Sequence, residues 1–566
     1  MCAVRSAFNP VAAGYYSRRS CYPVDMKDLS PELVSRLVAE GVDLDRMLRF
    51  LDDLNAGKYD SPVDSGPYSV PDFPHPAIFD RRGTASLSVG AEFAAGRLVD
   101  LGVPVSAESL GARVQGDGTL LFDEAALEKI GMYLYPVAAY GVLNGGSASS
   151  YADIKKNSAL DSALFGQYRA RFDALAELCR GQPKGITPAF LHPDGTPGFS
   201  FLFLKLRMLL EHKRRYFELT GSMPELILPA FQMTSVLTDA SIMEAFRAYS
   251  VDPGLKSLAD SLGCTSIEIF TEMQTMMAAI THSSEGFPRR IFDRAWGKAD
   301  SGIAMPGGHG QNFEVLGPIY RKMRDQGIRF AWLGNIDNMG YTVDPVSLAI
   351  FALSGKDAAF EESWRTPIDV KGGILVSRPD GRLTAADIGP AISTEAMLAF
   401  EAEGRPVLFN CGIGLFDLDR LIARLDEIPY KLPLRITDQD KDAGRYAQAE
   451  QITWEIIGLL DDPMFFAVEK SKRFLAAKML METILTSVPP DSRPALNSAR
   501  SGGASGAADA TCASPAAETD AAAESDAIAL VARESHAGLV RLLETEYGLK
   551  LSGGRWLPVE AAVLKS

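Results

Sequence analysis

The sequence is poor in cysteine, short of positive charge and free of long apolar runs. Its six cysteines, Cys2, Cys21, Cys179, Cys264, Cys411 and Cys512, form no C-x-x-C pair and have no histidine partner nearby. That spacing argues against a zinc site and a disulfide framework and suits a reducing compartment. A formal net charge of −15 excludes an overall basic field of the kind nucleic acids and anionic membranes attract. Met1–Ser20 carries arginines but no apolar core of signal-peptide length, and no later segment is long and clean enough to span a bilayer. A cytoplasmic protein is therefore expected, without nucleic-acid or membrane partners.

What is present is a chain of 566 residues, 46% of them hydrophobic, which is too long for one core and implies several domains. Residues 1–130 read as a mainly helical N-terminal region, with an amphipathic stretch at Ser30–Leu51 and a proline-rich connection at Ser61–Pro76. From 131 to 485 strand-like and helical patterns alternate. The strands are Val137–Leu143, Glu225–Phe231, Ile267–Phe270 and Phe330–Gly334; the helices are Phe201–Leu219 behind a Ser200 cap, Asp239–Tyr249 and Asn312–Gln326. This rhythm predicts an α/β fold with a mostly parallel sheet covered by helices, and ligands at the carboxyl ends of its strands. A hairpin is expected at about 370–390 around Arg378-Pro-Asp-Gly381. Residues 486–526, rich in Ala, Ser, Gly, Asp and Pro, read as a disordered linker before a small C-terminal segment, 527–566.

Four places carry candidate chemistry. Gly145-Gly146, after a strand, permits close approach of backbone to a ligand, although a simple tight turn reads the same way. Pro306-Gly-Gly-His-Gly310 precedes a helix whose positive end suits an anion, with His309 either facing a ligand or lying in an ordinary loop. Asn335-Ile-Asp-Asn338 emerges from an apolar strand. A carboxylate there fits a magnesium ion bridging phosphates, and an Asx turn or helix cap fits as well. Lys184, Lys371 and Lys478 stand on stiff or apolar segments, where a point charge can be held on phosphate; each taken separately also reads as a solvated surface lysine.

In this order the segments resemble the UTP:glucose-1-phosphate uridylyltransferase family, whose relatives include UDP-sugar and UDP-N-acetylhexosamine pyrophosphorylases. The resemblance runs from about Tyr140 to Met481. It is carried by Pro306–Gln311, Asn335–Asp344 and Asp369-Val-Lys-Gly-Gly373, with Phe270–Gln274, Phe409-Asn410 and Arg473–Lys478 in support. It implies a Rossmann-like nucleotide-diphospho-sugar transferase fold. Leu143, Asn144, Gly145, Gly146, Gln274, Gly308, Asn335, Ile336 and Asp337 would hold the nucleotide, and Asp337 the Mg2+. His309, Asn338, Lys371 and Asn410 would face the sugar phosphate, and Lys184 and Lys478 would act as catalytic lysines on the triphosphate. The implied reaction joins UTP to a sugar 1-phosphate, most simply glucose 1-phosphate, and releases pyrophosphate.

The chain departs from the family pattern in the nucleotide loop. Ser147-Ala-Ser-Ser150 replaces later glycines, and an inserted stretch of about 151–178 separates the loop from Lys184. A broad-specificity or UDP-N-acetylhexosamine enzyme, or a sugar-nucleotide sensor with reduced catalysis, stands as the alternative.

Overall fold

Ala138–Leu143 and Ala230–Ser235 are buried at every position, a pattern met by strands covered on both faces. They lie inside a ten-stranded sheet. The structure is a computed structural model that describes residues 29–59, 67–148, 151–158, 162–263, 269–366, 369, 372–389, 391–490 and 515–559.

In chain order the strands of the main sheet are β1 (Ile78–Asp80), β2 (Ala138–Leu143), β3 (Ala230–Ser235), β4 (Ile269–Gln274) and β5 (Phe330–Asn335). They continue with β6 (Ala358–Trp364), β7 (Gly373–Ser377), β8 (Leu383–Asp387), β9 (Leu408–Asp417) and β10 (Pro463–Val468). Across the sheet the order is β1-β10-β6-β9-β5-β2-β3-β4, with the β7–β8 hairpin attached to β9. All neighbours on the main path are parallel except those of β9, which runs antiparallel to both β5 and β6. The expected α/β class, a mostly parallel mixed sheet covered by helices, is therefore present. Two hydrophobic cores line the sheet's faces, one around Trp332 and Phe201, the other around Phe231 and Phe465.

The register brings the carboxyl ends of the strands together. Asn335 pairs with Leu143, Leu143 with Met233, and Ser235 with Gln274, so β5, β2, β3 and β4 all empty at one edge. The reversed strand β9 carries Asn410 toward the same region, because Ile413 lies opposite Gly334.

Four expectations are corrected. The strand expected at Glu225–Phe231 starts only at Ala230, because Pro229 has no N–H to give a ladder and Leu228 has a positive φ of 42°. The single helix expected at Asn312–Gln326 breaks at Leu316 into Asn312–Val315 and Gly317–Asp325, with Pro318 in the first turn of the second. The N-terminal region adds strands to its helices: Ser86–Gly90, Thr119–Asp123 and Arg113–Val114 form an antiparallel sheet, and β1 joins the edge of the main one. The proposed linker is shorter than 486–526. Leu480–Ser487 and Pro515–Thr545 are helical at its two ends, the second in an alanine-rich run with high intrinsic helix propensity, while 491–514 lie outside the described residues.

The C-terminal segment packs on the rest of the fold. Tyr547 Oη donates to Met339 O at 2.6 Å, Arg541 Nη2 to Ser471 O at 3.2 Å, and Arg207 Nε to Tyr547 O at 2.6 Å.

Candidate active site

The loop after β2, expected to hold the nucleotide, closes on itself across the insertion. Lys184 N donates to Gly146 O at 3.0 Å, Ala148 N donates to Gln182 O at 2.9 Å, and Ser147 bridges Pro183. The backbone pairing places Lys184 beside Gly146 although helices Ile154–Ser158 and Ser162–Cys179 intervene. The insertion also supplies Tyr151, whose ring lies 4.8 Å from Lys184 Nζ.

Lys184 Nζ makes a short ion pair with Asp337 Oδ2, both side chains being mostly buried. Asp337 follows β5, so two separate sequence motifs meet in one charge pair at the strand ends. Within the described residues no cluster of three or more metal-ligating side chains accompanies Asp337. A lone carboxylate nevertheless fits Mg2+, which keeps several waters and takes its remaining oxygens from substrate phosphates.

Beside this pair lies a cavity of about 240 Å³, lined among others by His309, Asp337, Asn410, Arg435, Trp454 and Lys478. Lys478 Nζ lies 5.2 Å from the Phe409 ring, and a Cβ on Gly372 would approach it to 3.5 Å. Glu482 stands near both lysines. Burial raises its carboxyl above the usual range, opposed by the Met479 N–H at 2.8 Å and by the charges of Lys184 and Lys478.

His309, in the cavity wall, is neutral. Thr453 N donates to its Nδ1 at 3.2 Å, which places the ring proton on Nε2. Desolvation and then the charge of Arg435 lower its pKa to about 4. Gly308 has φ 81°, and a Cβ there would come within 2.4 Å of Gln451 O, so glycine is required by both backbone and space. Asn410 donates through Nδ2 to Glu362 Oε1 at 2.9 Å and accepts from Gly412 N at 2.8 Å, which among the described residues leaves one amide hydrogen unspent. Burial raises Glu362 well above its usual range and favours the neutral acid.

Among the residues expected to hold the nucleotide, Asn144 Nδ2 donates to Gln232 Oε1 at 3.0 Å, and a Cβ on Gly185 would come within 2.2 Å of Asn144 Oδ1. Gly145 O accepts from Ser235 Oγ at 2.9 Å, fixing the glycine pair against β3. Gln274 Nε2 donates to Gly308 O at 2.8 Å and to Gln311 Oε1 at 2.9 Å. Ile336 is buried, and its N–H lies 3.4 Å from Leu143 O.

One expected contact is placed differently. Asn338 was expected to face the sugar phosphate, but its side chain is used inside the protein. Nδ2 donates to Arg473 O at 3.0 Å, and Oδ1 accepts from Gly340 N at 2.9 Å and Leu475 N at 3.0 Å. It clamps the segment that leads to Lys478. Lys371 lies outside the described residues. Asp344, at the end of the same motif, caps helix Pro345–Ser354 and bonds Arg81 at 3.0 Å.

The sequence reading missed Arg435, Trp454 and Lys205. Arg435 enters the cavity wall from the ribbon Arg435–Lys441 and is held by Asp387 and Glu455. Lys205 is buried in helix Phe201–Thr220 and donates to Asn338 O at 2.6 Å and Tyr341 O at 2.5 Å, fixing the loop after β5. A lysine within the apolar run Phe201–Leu210 was the one local signal for it.

With this geometry in place, the chain was compared with known proteins. The model of the UTP–glucose-1-phosphate uridylyltransferase family matches residues 222–487. The chain is thus similar to that family over somewhat less than half of its length. The matched segment contains Gln274, His309, Asp337, Asn410 and Lys478, and leaves Leu143–Gly146 and Lys184 outside it. A UTP–glucose-1-phosphate uridylyltransferase of Astragalus penduliflorus is 24% identical over 212 residues, 36% of this chain; the match spans 44% of the relative's length. Among solved structures, the uridine diphosphate N-acetylglucosamine pyrophosphorylase of Trypanosoma brucei is similar with a TM-score of 0.49 and 14% identity, over 80% of this chain and 81% of that one. A UDP-glucose pyrophosphorylase mutant of Leishmania major in complex with UDP-glucose has a TM-score of 0.44 and 20% identity, over 63% and 66% of the two chains. Among the described residues no helix is long and apolar enough to cross a membrane.

Proposed function

We propose that the chain is a uridylyltransferase that makes a UDP-sugar and pyrophosphate from UTP and a sugar 1-phosphate, with glucose 1-phosphate as the preferred acceptor. The observation that carries this reading is the Lys184–Asp337 pair, which joins the glycine loop to the polar end of β5 beside a cavity holding Lys478, His309 and Asn410.

A phosphate oxygen of the sugar 1-phosphate attacks the α-phosphorus of UTP. A new P–O bond forms, the bond to the bridging oxygen of the β-phosphate breaks, and pyrophosphate leaves with that electron pair. The nucleophile is already anionic, so no general base is required. Positioning and charge stabilisation supply the catalysis. Lys184 exchanges Asp337 for a triphosphate oxygen, and Lys478 approaches the same charge from the far side of the cavity. The Nε2–H of neutral His309 and the spare amide hydrogen of Asn410 donate to sugar oxygens. Asp337 would hold Mg2+, which supplies charge neutralisation on the phosphates.

The test is pyrophosphate release from UTP with glucose, galactose and N-acetylglucosamine 1-phosphates, each with and without Mg2+. Release with glucose 1-phosphate that stops on chelation is the expected result. No release with any sugar phosphate would refute the activity, and a stronger response to another sugar would reassign the acceptor.

A further inference from the structure

The helix Leu44–Asn55 reaches the Gln311–Gln274 pair through Arg46. We propose that Arg46 is a positioning residue that sets base selectivity by fixing the orientation of the Gln274 amide; this rests on reading the cleft as a uridine nucleotide site. Arg46 Nη1 donates to Gln311 Oε1 at 3.2 Å, and Gln274 Nε2 donates to that same oxygen at 2.9 Å. A guanidinium has donors only, so Gln311 must turn its oxygen toward Arg46. That oxygen then demands an N–H from Gln274, and Gly308 O takes the second hydrogen of the same Nε2 at 2.8 Å.

Both hydrogens of Gln274 are thereby committed. Among the described residues nothing donates to its Oε1, which is the group left to meet a base. An acceptor there matches the N3–H of uracil and opposes the bare N3 of cytosine. The guanidinium is itself held in place. Glu314 takes Arg46 Nη2 at 2.6 Å and Nε at 3.3 Å, Thr275 Oγ1 takes Nη1 at 3.3 Å, and the side chain is 13% exposed. Without Arg46 the Gln311 amide is free to turn over. Gly308 O still restrains one hydrogen of Gln274, so selectivity should relax rather than invert.

The experiment measures calorimetric dissociation constants of UTP and CTP on the full chain, for wild type, Arg46→Ala, Arg46→Gln and the double variant Arg46→Ala/Gln311→Glu. Wild type should prefer UTP. Arg46→Ala should lose about tenfold of that preference, the worth of one net hydrogen bond. Arg46→Gln, closer in size and able to present either end of its amide, should lose it too and carries the test if the alanine variant fails to fold. A carboxylate at 311 offers only acceptors and should restore the preference without Arg46, which a merely structural role for Arg46 would not allow. An unchanged ratio in both single variants, equal weakening of UTP and CTP, or a wild type without preference overturns the proposal. Selective UTP binding by a wild type that releases no pyrophosphate would instead refute the activity and leave the role of Arg46 standing.

Discussion

Replacing Asn338 by alanine separates two roles for that residue. It is 1% exposed, and its carboxamide bonds three backbone groups, Arg473 O, Gly340 N and Leu475 N, at 2.9–3.0 Å. Alanine leaves all three without a partner. At about 1–3 kcal/mol per orphaned buried group the upper limit is about 9 kcal/mol, and water entering the vacated space lowers the expected loss to about 3 kcal/mol. Two backbone bonds survive, Met339 N to Leu475 O at 3.0 Å and Ala477 N to Asp337 O at 3.2 Å, so the segment should loosen rather than detach. Lys478 lies at the end of that segment. A displacement of about 1 Å there is worth about 100-fold in rate. Calorimetry should therefore show a denaturation midpoint lower by about 2–3 °C. Steady-state assays should show kcat reduced about 10- to 100-fold, with KM for the sugar phosphate little changed. Asn338→Asp keeps the two acceptor bonds and should fall between. A normal midpoint combined with a raised KM for the sugar phosphate would refute the clamp and restore Asn338 to a substrate contact.

The other predictions concern groups that face the cleft. Lys478→Ala should lower kcat about 100-fold or more at an unchanged melting midpoint, since a positioned charge acts mainly in the transition state; near-normal turnover removes it from the mechanism. Gln274→Ala should weaken UTP more than the sugar phosphate in paired titrations, and equal weakening would count against contact with the base. Because the folded-state pKa of His309 is lowered from 6.5 to about 4, the unfolded chain binds the extra proton first as pH falls. The stability tied to the neutral ring is therefore complete above about pH 6.5 and lost toward pH 4. His309→Gln should flatten the melting midpoint across that window, and an unaltered slope would show that the ring titrates normally.

Legibility followed the range of the forces involved. β5 was readable because Phe330–Gly334 is an apolar run whose burial needs no knowledge of its neighbours, and Asn335–Asn338 stands out by contrast at its end. The start of β3 was misread because the apolar character of Glu225–Phe231 outweighed the missing N–H of Pro229 in the reading, while the ladder obeys the hydrogen-bond rule. The alanine-rich stretch after Pro515 was read by composition alone, and its helix propensity was passed over. Arg46, Tyr151 and Arg435 were invisible for another reason. Each reaches the cleft from an element far away in sequence, and a single side chain used at long range leaves no period or spacing to detect.

The same contrast explains how the altered loop after β2 keeps its place. Short polar segments at the ends of β2, β5 and β10 have too few contacts of their own to hold a fixed geometry, and each is braced from a distant part of the chain. The insertion braces helix Leu480–Ser487, where Tyr151 Oη meets Thr483 Oγ1 at 2.6 Å and Asn157 Oδ1 accepts from Met481 N at 2.9 Å. The C-terminal helix braces the start of the lysine segment, and its fit there is close enough to demand glycine: a Cβ on Gly538 would lie 2.1 Å from Ser471 O. Tyr547, just beyond that helix, holds Met339 O in the loop after β5. Insertion and tail therefore act on the two ends of one segment, Ser471 to Thr483, with Lys478 between them. The lysine gains a fixed position from contacts that lie outside the segment matching the family model at 222–487. On this reasoning the insertion and the tail act as structural supports for the cleft.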